Sequence, residues 1–96
     1  AGIPKIFELK QNYPNPFNPV TNIDFEVYSN SQVKLLIYNI SGQLVSVLID
    51  GYYYKGDYSL SWDGKDMNGF PVASGAYIYS LVSDSYSISK KMTLLK

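Results

Sequence analysis

The stretch WDGKDMNG, Trp62 to Gly69, gathers Asp63, Asp66 and Asn68 ahead of a glycine, the oxygen-bearing residue types from which calcium loops are made. In the register of an EF-hand loop, with its obligatory glycine at Gly69, the first ligand position falls on Gly64. The twelfth, where a bidentate glutamate belongs, falls on Gly75. The pattern fails at both ends. A turn whose carboxylates accept backbone N–H bonds is the better account, with a calcium site of another geometry as the alternative. Asp63 with Asp66, and Asp24 with Glu26, could supply paired carboxylates for glycoside hydrolysis. The second pair lies on a strand's solvent face and the chain is too short for an evident cleft, so no enzyme activity is expected. Tyr52, Tyr53 and Tyr54 could stack on sugar rings. Three successive loop residues do not share one face, however, and nothing polar is obviously arranged around them. Asn39-Ile40-Ser41 is a glycosylation sequon, meaningful only in a host with that pathway.

Composition narrows the chemistry further. Cysteine and histidine are both absent from the 96 residues, which removes disulfides, thiolate chemistry, the usual zinc sites and every Ser-His or Cys-His nucleophile pair. No cofactor is expected. Eight lysines balance eight acidic residues, so no long-range field draws in nucleic acid or an anionic membrane. No apolar run approaches the ~20 residues that span a bilayer, so membrane insertion is not expected, and AGIPKIFELK lacks a signal peptide's apolar block.

The elements that must position these residues read as strands throughout. The aromatic share of 16%, mostly ten tyrosines, suits half-buried pleated surfaces. After a lead containing KIFEL, period-2 alternation places Ile23, Phe25 and Val27 on one face, with Asn22, Asp24 and Glu26 on the other. The turn YSNSQ leads to VKLLIYN, apolar on both faces like a central strand. NISG reverses the chain into QLVSVLI, and a longer connection is expected between Asp50 and Asp57. Tyr58, Leu60 and Trp62 share one face of the next strand, with Trp62 assigned to the core. DGKDMNGFPVASG is irregular, and AYIYSLVSD and YSISKKMTLL form the last hairpin across SDS. Six or seven short strands with such punctuation predict an all-β, immunoglobulin-like antiparallel sandwich.

NYPNPFNPVT, Asn12 to Thr21, is the least expected stretch. Its prolines fix their own φ and push Tyr13, Asn15 and Asn18 toward extended geometry, while asparagine side chains replace partners the prolines deny. Phe17 is the natural core anchor. The segment reads as a rigid corner guarding a sheet edge, with recognition by another protein as the alternative.

From Leu9 onward the chain resembles the type A C-terminal sorting domain of the type IX secretion system. The matching elements are LKQNYPNPFNPVTNIDF, VKLLIYNISGQLV, Gly51 and Gly56 ahead of WDGKDMNG, then PVASGAYIYSL and KKMTLLK. Asn15, Pro16, Phe17, Asn18, Pro19, Trp62, Asp63, Gly64 and Gly69 are its motif positions here. A weaker similarity is to the immunoglobulin-like part of flagellar hook-capping proteins, through WDG and SGxY. Val27-Tyr28 stands where the sorting family usually has Leu-Pro, and Tyr58 where it often has histidine. The resemblance implies residues 1–8 as linker or lead-in strand and 9–96 as the sorting domain of an exported protein. Its N-terminal cargo would travel through the periplasm to the cell surface or medium. The outer-membrane machinery would recognise the domain, and a sortase-like peptidase would commonly remove it. The domain would then be a substrate, expected to be a monomer. A retained adhesion module and a carbohydrate-binding accessory module are the alternatives. Gly75, Tyr77, Lys90, Lys91, Met92, Leu94 and Lys96 are the candidate recognition surface, since a last strand at a sheet edge could accept a partner strand. The competing account makes Met92 and Leu94 core, with the lysines keeping the edge soluble.

Overall fold

The computed structural model describes residues 5–84 and 86–95, so Lys96, one of the candidate recognition residues, lies outside the described residues, as do Ala1–Pro4 of the lead and Ser85 of the last turn. Seven strands follow in order: β1 (Phe7–Leu9), β2 (Thr21–Val27), β3 (Ser31–Asn39), β4 (Leu44–Tyr53), β5 (Gly56–Trp62), β6 (Gly75–Val82) and β7 (Ser87–Leu94). They form two antiparallel sheets, β1-β2-β5 and β4-β3-β6-β7, and no helix occurs among the described residues. The architecture is the immunoglobulin-like sandwich that the alternation predicts.

Period-2 patterning decides which side chains fill the space between the sheets. Ile23, Phe25 and Val27 of β2 face Val33, Leu35 and Ile37 of β3, all fully buried or nearly so. Phe7, Leu9 and Trp62 complete one inner face, and Tyr77, Tyr79, Leu81, Met92 and Leu94 the other. At the β4/β5 side, Tyr53 packs edge-on against Phe25 and Tyr58, which stack on each other with ring centroids 5.4 Å apart. Such aromatic pairs contribute about 0.5–1.5 kcal/mol each beyond the area they bury.

The expected long connection between Asp50 and Asp57 is corrected. β4 continues through Gly51 and Tyr52 to Tyr53, paired with Ser31–Val33, so only Tyr54 and Lys55 separate β4 from β5. Tyrosines suit a pleated surface, and this preference overrides the turn signal of Gly51. β4 also carries two register shifts, opposite Leu35/Leu36 and Ile37/Tyr38, which bend a strand that forms one sheet edge.

Tyr79 ties the core to the proline segment. Its hydroxyl donates to the Lys10 carbonyl and accepts from the Asn12 N–H, both at 2.8 Å, and burial pushes its pKa up to about 12. An unfolded tyrosine loses its proton near pH ~10, so between there and about 12 the unfolded chain binds fewer protons than the folded one. Stability is therefore insensitive to this group at neutral pH and falls as pH rises through that window. Tyr79→Phe is expected to flatten this part of the profile. At neutral pH it costs about 1–3 kcal/mol, because a buried N–H and C=O lose their partner. Urea unfolding at neutral and alkaline pH measures both effects.

Candidate functional site

Four separated segments of the chain meet at one end of the sandwich, and all four are motif segments. Phe17 inserts beside Trp62, ring centroids 5.7 Å apart, and Trp62 meets Tyr77 edge-on at 5.4 Å. Trp62 Nε1–H donates to the Lys65 carbonyl at 2.9 Å, which folds the WDGK turn back over the ring. Gly64 sits at φ +74°, and a Cβ placed there would lie 3.3 Å from the Pro19 carbonyl and 3.7 Å from Leu94. Gly75 pairs directly with Leu94 in the β6–β7 ladder.

The proline segment closes over the outer edge of β7. Phe17 N–H donates to the Thr93 carbonyl at 3.0 Å and its carbonyl accepts from Leu95 N–H at 2.8 Å. Asn15 Oδ1 accepts from Thr93 N–H at 3.0 Å, and Gln11 Nε2 donates to the Lys91 carbonyl at 2.9 Å. Proline cannot donate to a ladder, so a segment alternating Pro with Asn and Phe offers a short row of backbone and side-chain partners and then stops. All three X-Pro bonds of the segment are cis. Beneath it, Asn12 Nδ2 donates to Thr21 Oγ1 at 2.9 Å and to the Pro14 carbonyl at 3.2 Å. Asn12 and Thr21 are buried, so this polar knot is satisfied internally, as burial requires. Gln11, Thr21 and Tyr79 were not legible as its members. Only the crowding of asparagine among prolines hinted at side-chain-to-backbone bonding.

The candidate recognition residues divide by exposure. Tyr77, Met92 and Leu94 are buried and cannot be touched by a partner of the folded domain; Gly75 and Lys91 are exposed, and Lys90 is half-buried on the inward face opposite Tyr79. Strand addition to the Thr93–Leu95 half of the β7 edge is blocked, because Asn15 and Phe17 already fill it. An inward-pointing lysine further along is itself a device that discourages edge pairing. Pro16, Asn18, Pro19 and Leu95 form the exposed rim around the convergence point.

The ion-loop candidates are engaged in their own turn. Asp66 Oδ1 accepts from Asn68 N–H at 2.9 Å and Phe70 N–H at 3.0 Å, and Asp63 Oδ1 from Lys65 N–H at 3.2 Å. Gly69, at φ +84°, completes the reversal. Among the described residues no group of three acidic side chains comes together in a way that could hold a metal. Charge is nevertheless segregated. On the outer face of the three-stranded sheet, Glu8, Glu26 and Asp57 lie directly opposite one another across β1, β2 and β5. Lys5, 3.0 Å from Glu8, offsets part of that repulsion and holds the Glu8 carboxyl below its ordinary pKa.

The family model described as the FlgD Ig-like domain matches residues 15–87. No curated protein matches the chain. Among solved structures, dimeric latent PorU from Porphyromonas gingivalis aligns with a TM-score of 0.79 and 22% identity, over 99% of this chain and 10% of its own. PorZ of the same organism, described as an essential bacterial surface component of the type-IX secretion system, aligns at 0.62 and 18%, over 90% and 11%. FlgD from Xanthomonas campestris, a hook-capping protein essential for flagellar assembly, aligns at 0.60 and 22%, over 95% and 63%. The chain thus spans about a tenth of PorU and of PorZ.

Proposed function

The chain belongs to the FlgD Ig-like domain family, and from that premise we propose that it is a secretion-sorting domain, a type IX export label carried by a larger protein. The sequence bears its weaker resemblance to this family and its fuller resemblance to the sorting domains. The observation that carries it is the convergence of the NPFNP, WDG, SGAY and KKMTLL elements on one structural unit at the end of β7. Each of those elements is one through which the sequence resembles the sorting family, and the contacts among them tie all four together. Likeness to PorU and PorZ across nearly the whole chain supports the same reading, and the small share of those proteins that it spans fits a domain within a larger polypeptide.

In this account the domain does no chemistry. It is a compact shape with an exposed rim at Pro16, Asn18, Pro19 and Leu95 and an exposed outer row at Ile78 and Lys91, which are direct neighbours in the β6–β7 ladder. The outer-membrane machinery reads that surface, and a sortase-like peptidase acts on the junction with the cargo. Truncating the last strand cannot separate recognition from packing, since it removes Met92 and Leu94 from the core.

The pair Ile78→Thr and Lys91→Glu does separate them. Both positions are exposed, so stability should change by less than about 0.5 kcal/mol each. A passenger fused to this variant is expected to accumulate in the periplasm of a type IX-competent bacterium while the domain melts as before. Undiminished export would remove this row from the recognised surface.

A further inference from the structure

The opposite end of the sandwich has its own character. Three turns gather there, between β2 and β3, β4 and β5, and β6 and β7, as the pairings Val27 with Gly56 and Val82 with Ser87 require. The turns and the strand ends beside them carry Tyr28-Ser29-Asn30-Ser31, Tyr53-Tyr54-Lys55-Gly56 and Ser83, Asp84 and Tyr86. Tyrosine with serine, asparagine and glycine is the mixture from which antibody loops build adaptable polar contact around rigid rings.

Because β4 runs on to Tyr53, strand alternation separates the three tyrosines. Tyr53 turns inward, while Tyr52 and Tyr54 project to the same side, 58% and 66% exposed, with ring centroids 5.5 Å apart. The expectation that all three lie on a loop is thereby corrected for Tyr52 and Tyr53, while Tyr54 lies in the connection as expected; polar groups do surround Tyr52. Tyr52 lines a cleft of about 320 Å³ whose other walls include Ile6, Asn30, Ser31, Gln32 and Asp84. Hydrogen bonds tie the turns and strand ends around it. Lys55 N–H donates to Asn30 Oδ1 at 2.8 Å, latching the second turn to the first, and the Tyr58 hydroxyl donates to the Tyr54 carbonyl at 2.6 Å. Gln32 Nε2 donates to Asp50 Oδ1 at 3.2 Å, which orients the amide and leaves its Oε1 as an acceptor. The Asn30 amide N–H₂ has no partner among the described residues.

We infer that this cleft binds a neutral oligosaccharide. An exposed tyrosine ring presents a flat face to the C–H side of a pyranose. Amide donors, an amide acceptor and a carboxylate beside it match the alternating donors and acceptors of sugar hydroxyls. Asp84 is the ionic group among the described wall residues and repels an anionic ligand. A protein partner fits less well, since a stable interface needs about 800 Å² per side and an apolar centre, and Ile6 is the aliphatic group in this cleft. The inference goes beyond the sorting reading and stands without it.

The test is an amide-resolved NMR titration of the domain with separate gluco-, xylo-, manno- and chito-oligosaccharides. At least one is expected to give saturable shifts confined to residues 30–32, 52–54 and 83–84, with a Kd of about 1 mM or tighter. Tyr52→Ala should weaken that binding about tenfold or more, and Asp84→Ala should weaken it independently. Phe70→Ala, exposed at the other end, should leave it unchanged. Melting curves on each variant verify folding. Absence of saturable shifts with every sugar, shifts elsewhere, or binding indifferent to both cleft variants would overturn the inference. Shifts at these turns produced by a fused cargo domain and by no sugar would assign the surface to protein contact, and would overturn it equally.

Discussion

Phe17→Ala is expected to lower the stability of the domain by about 3–5 kcal/mol, the cost of emptying a large aromatic site in a packed core. Phe17 is 1% exposed, and its ring lies against Trp62, the single tryptophan of the chain. A domain of this size holds only about 5–15 kcal/mol in total, so the variant is left near the unfolding threshold at ambient temperature. The damage should not stop at the cavity. Phe17's backbone N–H and C=O bridge Thr93 and Leu95, so a loosened segment also exposes the edge of β7. Indole fluorescence reports the local change and far-ultraviolet dichroism the global one, and in urea the two should move together to a lower midpoint. Phe70→Ala, an exposed aromatic in the same region of the fold, is the matched control and should move it by less than about 0.5 kcal/mol. A loss below about 1 kcal/mol for Phe17→Ala would mean that the proline segment decorates the sandwich without holding it together.

Gly64→Ala is the second large effect, and it acts through the backbone. At φ +74° an alanine costs about 1–2 kcal/mol in left-handed conformation alone. Its Cβ would also lie 3.3 Å from the Pro19 carbonyl, a backbone atom that cannot swing aside, and crowding of this kind adds about 1–3 kcal/mol. The sum, about 2–5 kcal/mol, should appear in thermal or urea unfolding. Gly69→Ala, at a similar φ but facing open space, should show only the conformational part. Equal losses at the two positions would contradict the close approach of the WDG turn to the proline segment.

The strands were legible because period-2 burial writes itself into sequence: Ile23, Phe25 and Val27 alternate, and they are buried as that alternation requires. Trp62 and Phe17 could be assigned to the core for the same reason of size and apolarity. What could not be read was the partner of each exposed-looking group. Tyr77 and Tyr79 look alike in AYIYS, yet only long-range packing determines that Tyr79 meets Asn12 and Lys10, 67 and 69 positions away. The Tyr52–Tyr54 run looked like a loop because Gly51 and Gly56 flank it, but pairing with Ser31–Val33 prevails over that local signal. The proline segment reads from sequence as a guard of some sheet edge, but only long-range packing shows that the edge is that of β7, where Asn15 and Phe17 cover what would otherwise be an open terminal strand.

The most direct test of the account exchanges the label. A reporter carrying a signal peptide is fused to this chain, or to an unrelated immunoglobulin-like sandwich of equal stability, and expressed in a type IX-competent bacterium. The account predicts the reporter at the cell surface or in the medium with this chain, and in the periplasm with the substitute. Equal export with either domain would show that the machinery does not read this surface, and would contradict the sorting role.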